Sequence, residues 1–273
     1  MGQIYLRKPV VSGQFNPQSA KDINALIFSL ADKHAQKKDI IGVIMPHAGY
    51  VYSGKVAAQT ISGANIKDNV VLLGPNHSGL GPDFSIMTHG LWQTPLGNVE
   101  INAELANLFL SKSKYLEADT LAHQGEHSLE VELPILQYFK SNFRIVPIVI
   151  KSFDLSLLKN LAKDLADVIS ENNLKKSTVF IASSDMTHYQ PQKVAEKKDS
   201  LAIDAIIALD EDKLNKVVKD ADISMCGFAP VAVLIKTAKL LGAKGAQLIK
   251  YQTSGEASGD LSSVVGYAGI TIY

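Results

Sequence analysis

Three stretches of this sequence carry a histidine where an apolar run gives way to residues that bend or stiffen the chain. Ile40-Ile41-Gly42-Val43-Ile44-Met45 leads into Pro46-His47, Val70-Val71-Leu72-Leu73 into Gly74-Pro75-Asn76-His77, and Thr178-Val179-Phe180-Ile181-Ala182 into Ser183-Ser184-Asp185-Met186-Thr187-His188. Stiff turns place side chains in advance, and imidazoles are common metal ligands, so three of them at strand ends read as a metal site. For any one of them the plainer role is a hydrogen bond to a loop carbonyl.

Cys226, in Ser224-Met225-Cys226-Gly227, stands just before an apolar helix. A helix start favours negative charge, so the sequence predicts a lowered thiol pKa and a ligand or nucleophile there. The competing role is a buried small hydrophobe. One thiolate with two or three imidazoles suits iron, copper and zinc and does not suit calcium or magnesium. Asp185 and His188 are candidates for orienting the ligands from behind or for acid–base work, with helix capping by Ser183, Ser184 or Asp185 as the alternative. Tyr50, Glu126 and His127 are expected to line the same cavity. His123-Gln124-Gly125-Glu126-His127 has the letters of an inverted zinc-protease motif, but Gly125 opposes the helix that motif needs. His34 and His89 read as surface residues, Trp92 as packing, and the lysine pairs Lys37-Lys38 and Lys175-Lys176 as solvated faces.

The elements that must position these residues are strands at 40–45, 69–73, 84–88, 144–150, 177–183, 246–253 and 264–272. Helices are predicted at 18–36, 54–62, 102–112, 128–140, 155–172, 192–208, 211–218 and 227–241. Val- and Ile-rich strands alternating with amphipathic helices imply a mostly parallel or mixed α/β sheet flanked by helices on both faces. In such sheets ligands collect beyond the carboxyl ends of the strands. Ser254-Gly255-Glu256-Ala257-Ser258-Gly259-Asp260 is too short to link domains, so residues 1–273 read as one domain.

Composition agrees with a packed protein: 273 residues are 46% hydrophobic, and 27 basic residues balance 27 acidic ones. Such a balance offers no electrostatic footprint for nucleic acid. No apolar run approaches ~20 uncharged residues, and the start of the chain lacks the pattern of a secretory signal. Leu6 stands where a myristoylation signal wants Ser or Thr. A soluble cytoplasmic protein is expected, and its single cysteine rules out an internal disulfide.

Taken together, Pro46-His47-Ala48-Gly49-Tyr50, Leu73-Gly74-Pro75-Asn76-His77, Glu126-His127-Ser128-Leu129-Glu130, Ser183 to His188, Met225-Cys226-Gly227 and Val264-Val265-Gly266-Tyr267-Ala268 resemble the Memo family. The resemblance runs from Arg7-Lys8-Pro9 to the C-terminus. It implies a fold like that of the class III extradiol dioxygenases, which are non-haem iron enzymes. It implies metal ligands at His47, His77 and Cys226, with Asp185 and His188 in the same cavity, and iron or copper, or else zinc, as the cofactor. Its prokaryotic members are associated with a radical-SAM protein and an AMMECR-type protein, which are the implied partners. The animal member is described as a phosphotyrosine-peptide binder. Phe228 stands where the family often has Arg, and no Arg cluster supports that role here. Three functions are therefore carried forward: a redox or oxygen-linked metalloprotein, a non-enzymatic peptide- or protein-binding module using the same pocket, and a zinc-dependent hydrolase. The ligand would be an unidentified small molecule or peptide.

Overall fold

A computed structural model describes residues 5–273; Met1 to Ile4, part of the segment read against a leader, lie outside the described residues. The strands are β1 (Leu6–Arg7), β2 (Gly42–Met45), β3 (Asn69–Pro75), β4 (Phe84–Ile86), β5 (Leu91–Thr94), β6 (Gly97–Ile101), β7 (Glu117–Ala118), β8 (Arg144–Ile150), β9 (Thr178–Ser183), β10 (His188–Gln190), β11 (Ala246–Thr253) and β12 (Val264–Ile272). The helices are α1 (Ala20–Leu30), α2 (Tyr50–Ser62), α3 (Ala103–Lys112), α4 (Leu121–Gln124), α5 (Glu132–Phe139), α6 (Leu155–Glu171), α7 (Gln192–Ile207), α8 (Glu211–Asp220), α9 (Phe228–Leu240) and α10 (Gly255–Ser258).

The strands form one sheet in the order β1-β5-β6-β8-β3-β9-β2-β12-β10, with β11 paired to β12, β4 to β8 and β7 to β4. Its centre, β8-β3-β9-β2, is parallel, and β12 runs antiparallel beside β2. Successive side chains of a strand point to opposite faces, which is why continuous apolar runs here feed two cores. Ile44, Val71, Leu73, Val146, Ile148 and Phe180 pack with Leu161 and Leu165 of α6 and Val231 and Leu234 of α9. Their neighbours Val43, Val70, Leu72, Ile145, Val149 and Val179 pack on the other face with Ile23 and Ile27 of α1, Ile61 of α2 and Leu133 of α5. Both faces are covered, as the sequence predicts. No helix among the described residues is long and apolar enough to cross a membrane.

Register sets the site. Met45 pairs with Ser183 and Leu73 with Ala182, so β2, β3 and β9 stop at one level and release His47, His77 and Asp185 on the same edge.

Several element boundaries differ from those predicted. The helix expected at 18–36 ends at Leu30. Beyond it, Asp32 N–H donates to Ser62 Oγ and Asp32 Oδ1 accepts His34 N–H, a local turn that competes with helix continuation. α2 begins four residues earlier than expected, at Tyr50, because Gly49 takes the extended conformation of a helix start. Residues 128–131, expected as helix, precede α5, and Ser128 N–H is taken by Glu126 Oε1. The β5–β6 hairpin around Thr94–Gly97 and the short strand β10 have no counterpart in the predicted elements.

Candidate metal centre

His47, His77 and Cys226 converge, with one ligand atom from each lying within 4.8 Å of the others. His47 follows β2, His77 follows β3, and Cys226 stands before Gly227, the residue that opens α9. The approach of α9 depends on that glycine, since a Cβ there would lie 2.3 Å from both the Ser183 carbonyl and Ser184 Cβ. Gly74 plays the same part on β3, where a Cβ would meet Leu129 at 2.6 Å and keep the 126–130 segment away.

Each histidine has one nitrogen tied back and one left over. His47 Nδ1 lies 2.8 Å from Ser183 Oγ, and its Nε2 lies 3.4 Å from Cys226 Sγ. His77 is held twice by the fully buried Glu126: its N–H donates to Oε2 at 2.6 Å and its Nδ1 stands 2.9 Å from Oε1. A carboxylate on Nδ1 is the arrangement that fixes the tautomer of a metal-binding histidine and raises its basicity. His188 Nδ1 lies 2.8 Å from the Ser224 carbonyl, which only accepts, so the proton sits on Nδ1 and Nε2 is free.

Burial drives the His47 pKa well below its ordinary value, helped by the neighbouring His77 and His127. It is therefore a neutral ring with a lone pair to offer. Burial also opposes charge on His77, but the Glu126 hydrogen bond and charge outweigh it and raise the pKa. Glu126 shows the converse: burial works against its charge, yet His77 and the backbone N–H groups of Ser128 and His77 bring it down to about 2. His127 stacks on His77 with ring centres 4.7 Å apart, and burial lowers its pKa.

Cys226 corrects the expected lowered pKa. Burial and the negative charge of Asp185 push the thiol up, and these outweigh the adjoining helix start. Asp185 N–H donates to Cys226 Sγ at 3.3 Å, and Asp185 Oδ1 accepts His47 N–H at 2.8 Å. Burial raises Asp185 to about 6 against the hydrogen bonds its carboxylate accepts from the His47 and Ala48 backbone. A metal must displace the thiol proton to use the sulfur, so its binding would release protons.

A cavity of about 350 Å³ opens beside these groups, lined by His47, His77, His127, Asp185 and His188 and walled by Phe15, Tyr52 and Tyr267. Tyr50 was expected to line it and does not. Its hydroxyl donates to the Val131 carbonyl at 2.6 Å inside the core between α2 and α5. Because α2 starts at Tyr50, residues 50 and 52 stand about 200° apart round the helix, and Tyr52 takes the wall position. Glu126 likewise lies beneath His77 and off the cavity wall, whereas His127 does line it. A second cavity, about 320 Å³, lies at the other end of the sheet and is lined without histidine or cysteine.

The protease-like motif does not close. α4 ends at Gln124, and His123 is fully buried against Trp92, away from the His77–His127 stack. His34 and His89 are exposed, and Trp92 packs under the Arg7 guanidinium, 4.1 Å from its ring centre. Arg7 was not singled out from the sequence, yet it holds the segment that carries Glu126. It donates to the carbonyls of His123 and Glu126 and pairs with the buried Glu130 at 2.8 Å. Ser183 and Glu132 were also missed as functional groups; the only signal was two acids, Glu130 and Glu132, inside an apolar run.

One pair of the donors meets a simple spacing test, and all three lie within 4.8 Å of one another. Around a four-coordinate ion with bonds of about 2.0–2.3 Å, donors stand about 3.3–3.8 Å apart. His47 Nε2 and Cys226 Sγ are separated by 3.4 Å. The donors are two neutral-capable imidazoles and one thiol, and each imidazole is fixed through its other nitrogen, so the residues fit a transition metal.

Residues 7–271 match the family described as Memo-like protein. The chain belongs to the Memo family. A MEMO1 family protein of Methanopyrus kandleri is 42% identical over 278 residues, covering 97% of this chain and 98% of the relative. That of Nitrosopumilus maritimus is 38% identical over 275 residues, covering 97% and 98%. The Methanosarcina mazei protein is 40% identical over 269 residues, covering 98% and 99%. The crystal structure of an uncharacterized Escherichia coli K12 protein superposes with a TM-score of 0.59 at 11% identity, covering 86% of this chain and all of the other. At that identity the likeness is one of fold. Memo family membership and the observed donor cluster thus rest on independent observations.

Proposed function

We propose that this Memo family protein is a cytoplasmic non-haem metalloprotein in which His47, His77 and Cys226 hold iron or copper for a redox or oxygen-linked reaction on a substrate bound in the 350 Å³ cavity. The observation that carries this reading is the convergence of three donors whose two imidazoles each have the other nitrogen committed, His47 to Ser183 and His77 to Glu126. A metal bound there would supply one-electron chemistry and polarise a ligand oxygen, with the thiolate tuning its potential.

The residues around the donors have definable parts. His188 presents a free Nε2 at the rim, so it is the group that exchanges protons with a substrate. Asp185, with a pKa of about 6, orients His47 and Cys226 through the backbone and stands beside the cavity. Phe15, Tyr52 and Tyr267 exclude water from one side.

Anaerobic reconstitution with iron(II) or with copper(I), followed by admission of oxygen, tests the redox part. A change in the metal's electronic or paramagnetic spectrum that requires Cys226 supports it; loading without any oxygen-dependent change favours a zinc-type hydrolase. The binding-module reading draws on one observation, the exposed Tyr189 and Tyr52 at the cavity mouth, 76% and 40% accessible. It predicts that partner or peptide binding survives removal of the donors.

A further inference from the structure

Ser183 ends β9 with three polar neighbours at one distance. His47 Nδ1, the Ser128 carbonyl and Glu132 Oε1 each lie 2.8 Å from its Oγ. A hydroxyl has one proton to give and two lone pairs to receive. The Ser128 carbonyl can only accept, so the Ser183 proton belongs on that contact. Both lone pairs then need donors, and the two groups facing them are His47 Nδ1 and Glu132 Oε1. Both must carry hydrogen.

Glu132 lies in the first turn of α5, fully buried, and its Oε2 makes no hydrogen bond with any of the described residues. An ionised carboxylate there would be a buried charge with one oxygen unpartnered, which proteins avoid by keeping the group neutral. Burial indeed pushes its pKa well above the ordinary carboxyl value. Other proton assignments fail on the same contacts. Placing the Glu132 proton on Oε2 leaves a buried donor without an acceptor. Turning the Ser183 proton toward His47 sets two lone pairs against each other, 2.8 Å apart, between Ser183 Oγ and the Ser128 carbonyl.

We propose that Glu132 is a positioning residue: a neutral carboxylic acid that donates to Ser183 Oγ, holds that hydroxyl turned toward Ser128, and so locks His47 as the Nδ1–H tautomer with its Nε2 lone pair facing Cys226. The proposal deepens the reading of His47 as a metal ligand and rests on it for its purpose, although the tautomer itself is a property of the metal-free chain. Glu132 touches neither His47 nor the cavity directly; it acts through Ser183. Without it, one Ser183 lone pair loses its donor and the hydroxyl is free to turn, so both His47 tautomers become populated.

Two variants separate the roles. Glu132→Gln keeps a donor aimed at Ser183 without a charge, and Glu132→Leu removes the donor while filling the same apolar site. Nitrogen-15 histidine spectra of the metal-free protein are expected to show His47 protonated on Nδ1 in the native chain and in Glu132→Gln, and as a mixture in Glu132→Leu. Cobalt(II) titration, read by thiolate charge-transfer absorption, is expected to give Glu132→Gln within about threefold of native affinity and Glu132→Leu about 10–100-fold weaker, at an unchanged melting temperature. A proton on His47 Nε2 in the native chain would overturn the proposal. So would a pure Nδ1–H form in Glu132→Leu, or equal losses in Gln and Leu, which would make Glu132 an ionised acceptor. If the native chain binds no cobalt, the metal reading fails, and the spectra still decide the role of Glu132. If Glu132→Leu does not fold, the native spectrum and the Gln variant decide it.

Discussion

Glu126 grips His77 at two points, accepting its backbone N–H on Oε2 at 2.6 Å and facing its Nδ1 with Oε1 at 2.9 Å. The carboxylate thereby fixes both the loop and the ring, and a third donor, Ser128 N–H, steadies it at 2.9 Å. Glu126→Gln keeps the size but loses the charge and one acceptor. It is expected to lower metal affinity about 10–100-fold with little change in cavity shape. Equilibrium dialysis of the two proteins checks this, and equal affinities would remove Glu126 from the account.

Cys226→Ser is expected to weaken metal binding by more than tenfold and to shift the metal's redox behaviour, because a serine hydroxyl is a poor ligand at neutral pH. The half-buried thiol is neutral without metal, so serine replaces one uncharged group by another and stability is expected to change by no more than about 1 kcal/mol. Metal titration and thermal melts, run side by side, separate a ligand from a packing residue, which would show unchanged binding.

His123 gives the fold an acid-sensitive element remote from the donors. Burial, with Arg7 nearby, lowers its pKa from 6.5 to about 4, and neither ring nitrogen has a hydrogen-bond partner among the described residues. The unfolded chain therefore binds more protons than the folded one between those values. The stability that the neutral ring permits is complete above pH 6.5 and is lost as pH falls toward 4, by up to about 3 kcal/mol. His123→Leu is expected to flatten the stability profile in that window; an unaltered slope would place the acid sensitivity elsewhere.

Tyr189 occupies left-handed backbone at φ 56°, inside the bulge where β10 pairs with β12. A bulky side chain is costly there, and its ring is largely exposed at the cavity mouth. Tyr189→Gly is expected to stabilise the fold by about 1 kcal/mol in denaturant titration while opening the mouth. Destabilisation would mean that the ring packs to structural effect.

Much of this was legible before the fold was known. The apolar runs ending in His47 and His77 are continuous because the central strands are buried on both faces, and that continuity marks where they stop. What the sequence did not disclose depends on register and on phase. The start of α2 at Tyr50 turned that residue inward and brought Tyr52 to the cavity, a shift of a few residues that no local signal marks. The Cys226 pKa was misjudged because a helix start is a local feature, whereas burial and Asp185, 41 positions away, are not. Arg7 and Glu130, 123 residues apart, and the Glu132–Ser183 contact likewise exist only once the sheet brings distant segments together.

The most direct test of the central claim is metal stoichiometry, measured by elemental analysis after anaerobic dialysis against iron(II) or copper(I), for the native chain and for His47→Ala, His77→Ala and Cys226→Ser. One equivalent per native chain, lost or strongly diminished in all three variants while Asp212→Ala, an exposed position on α8 that pairs with Lys159, retains it, is the result the account predicts. A native chain that binds no metal, or three variants that bind as the native chain does, would contradict it.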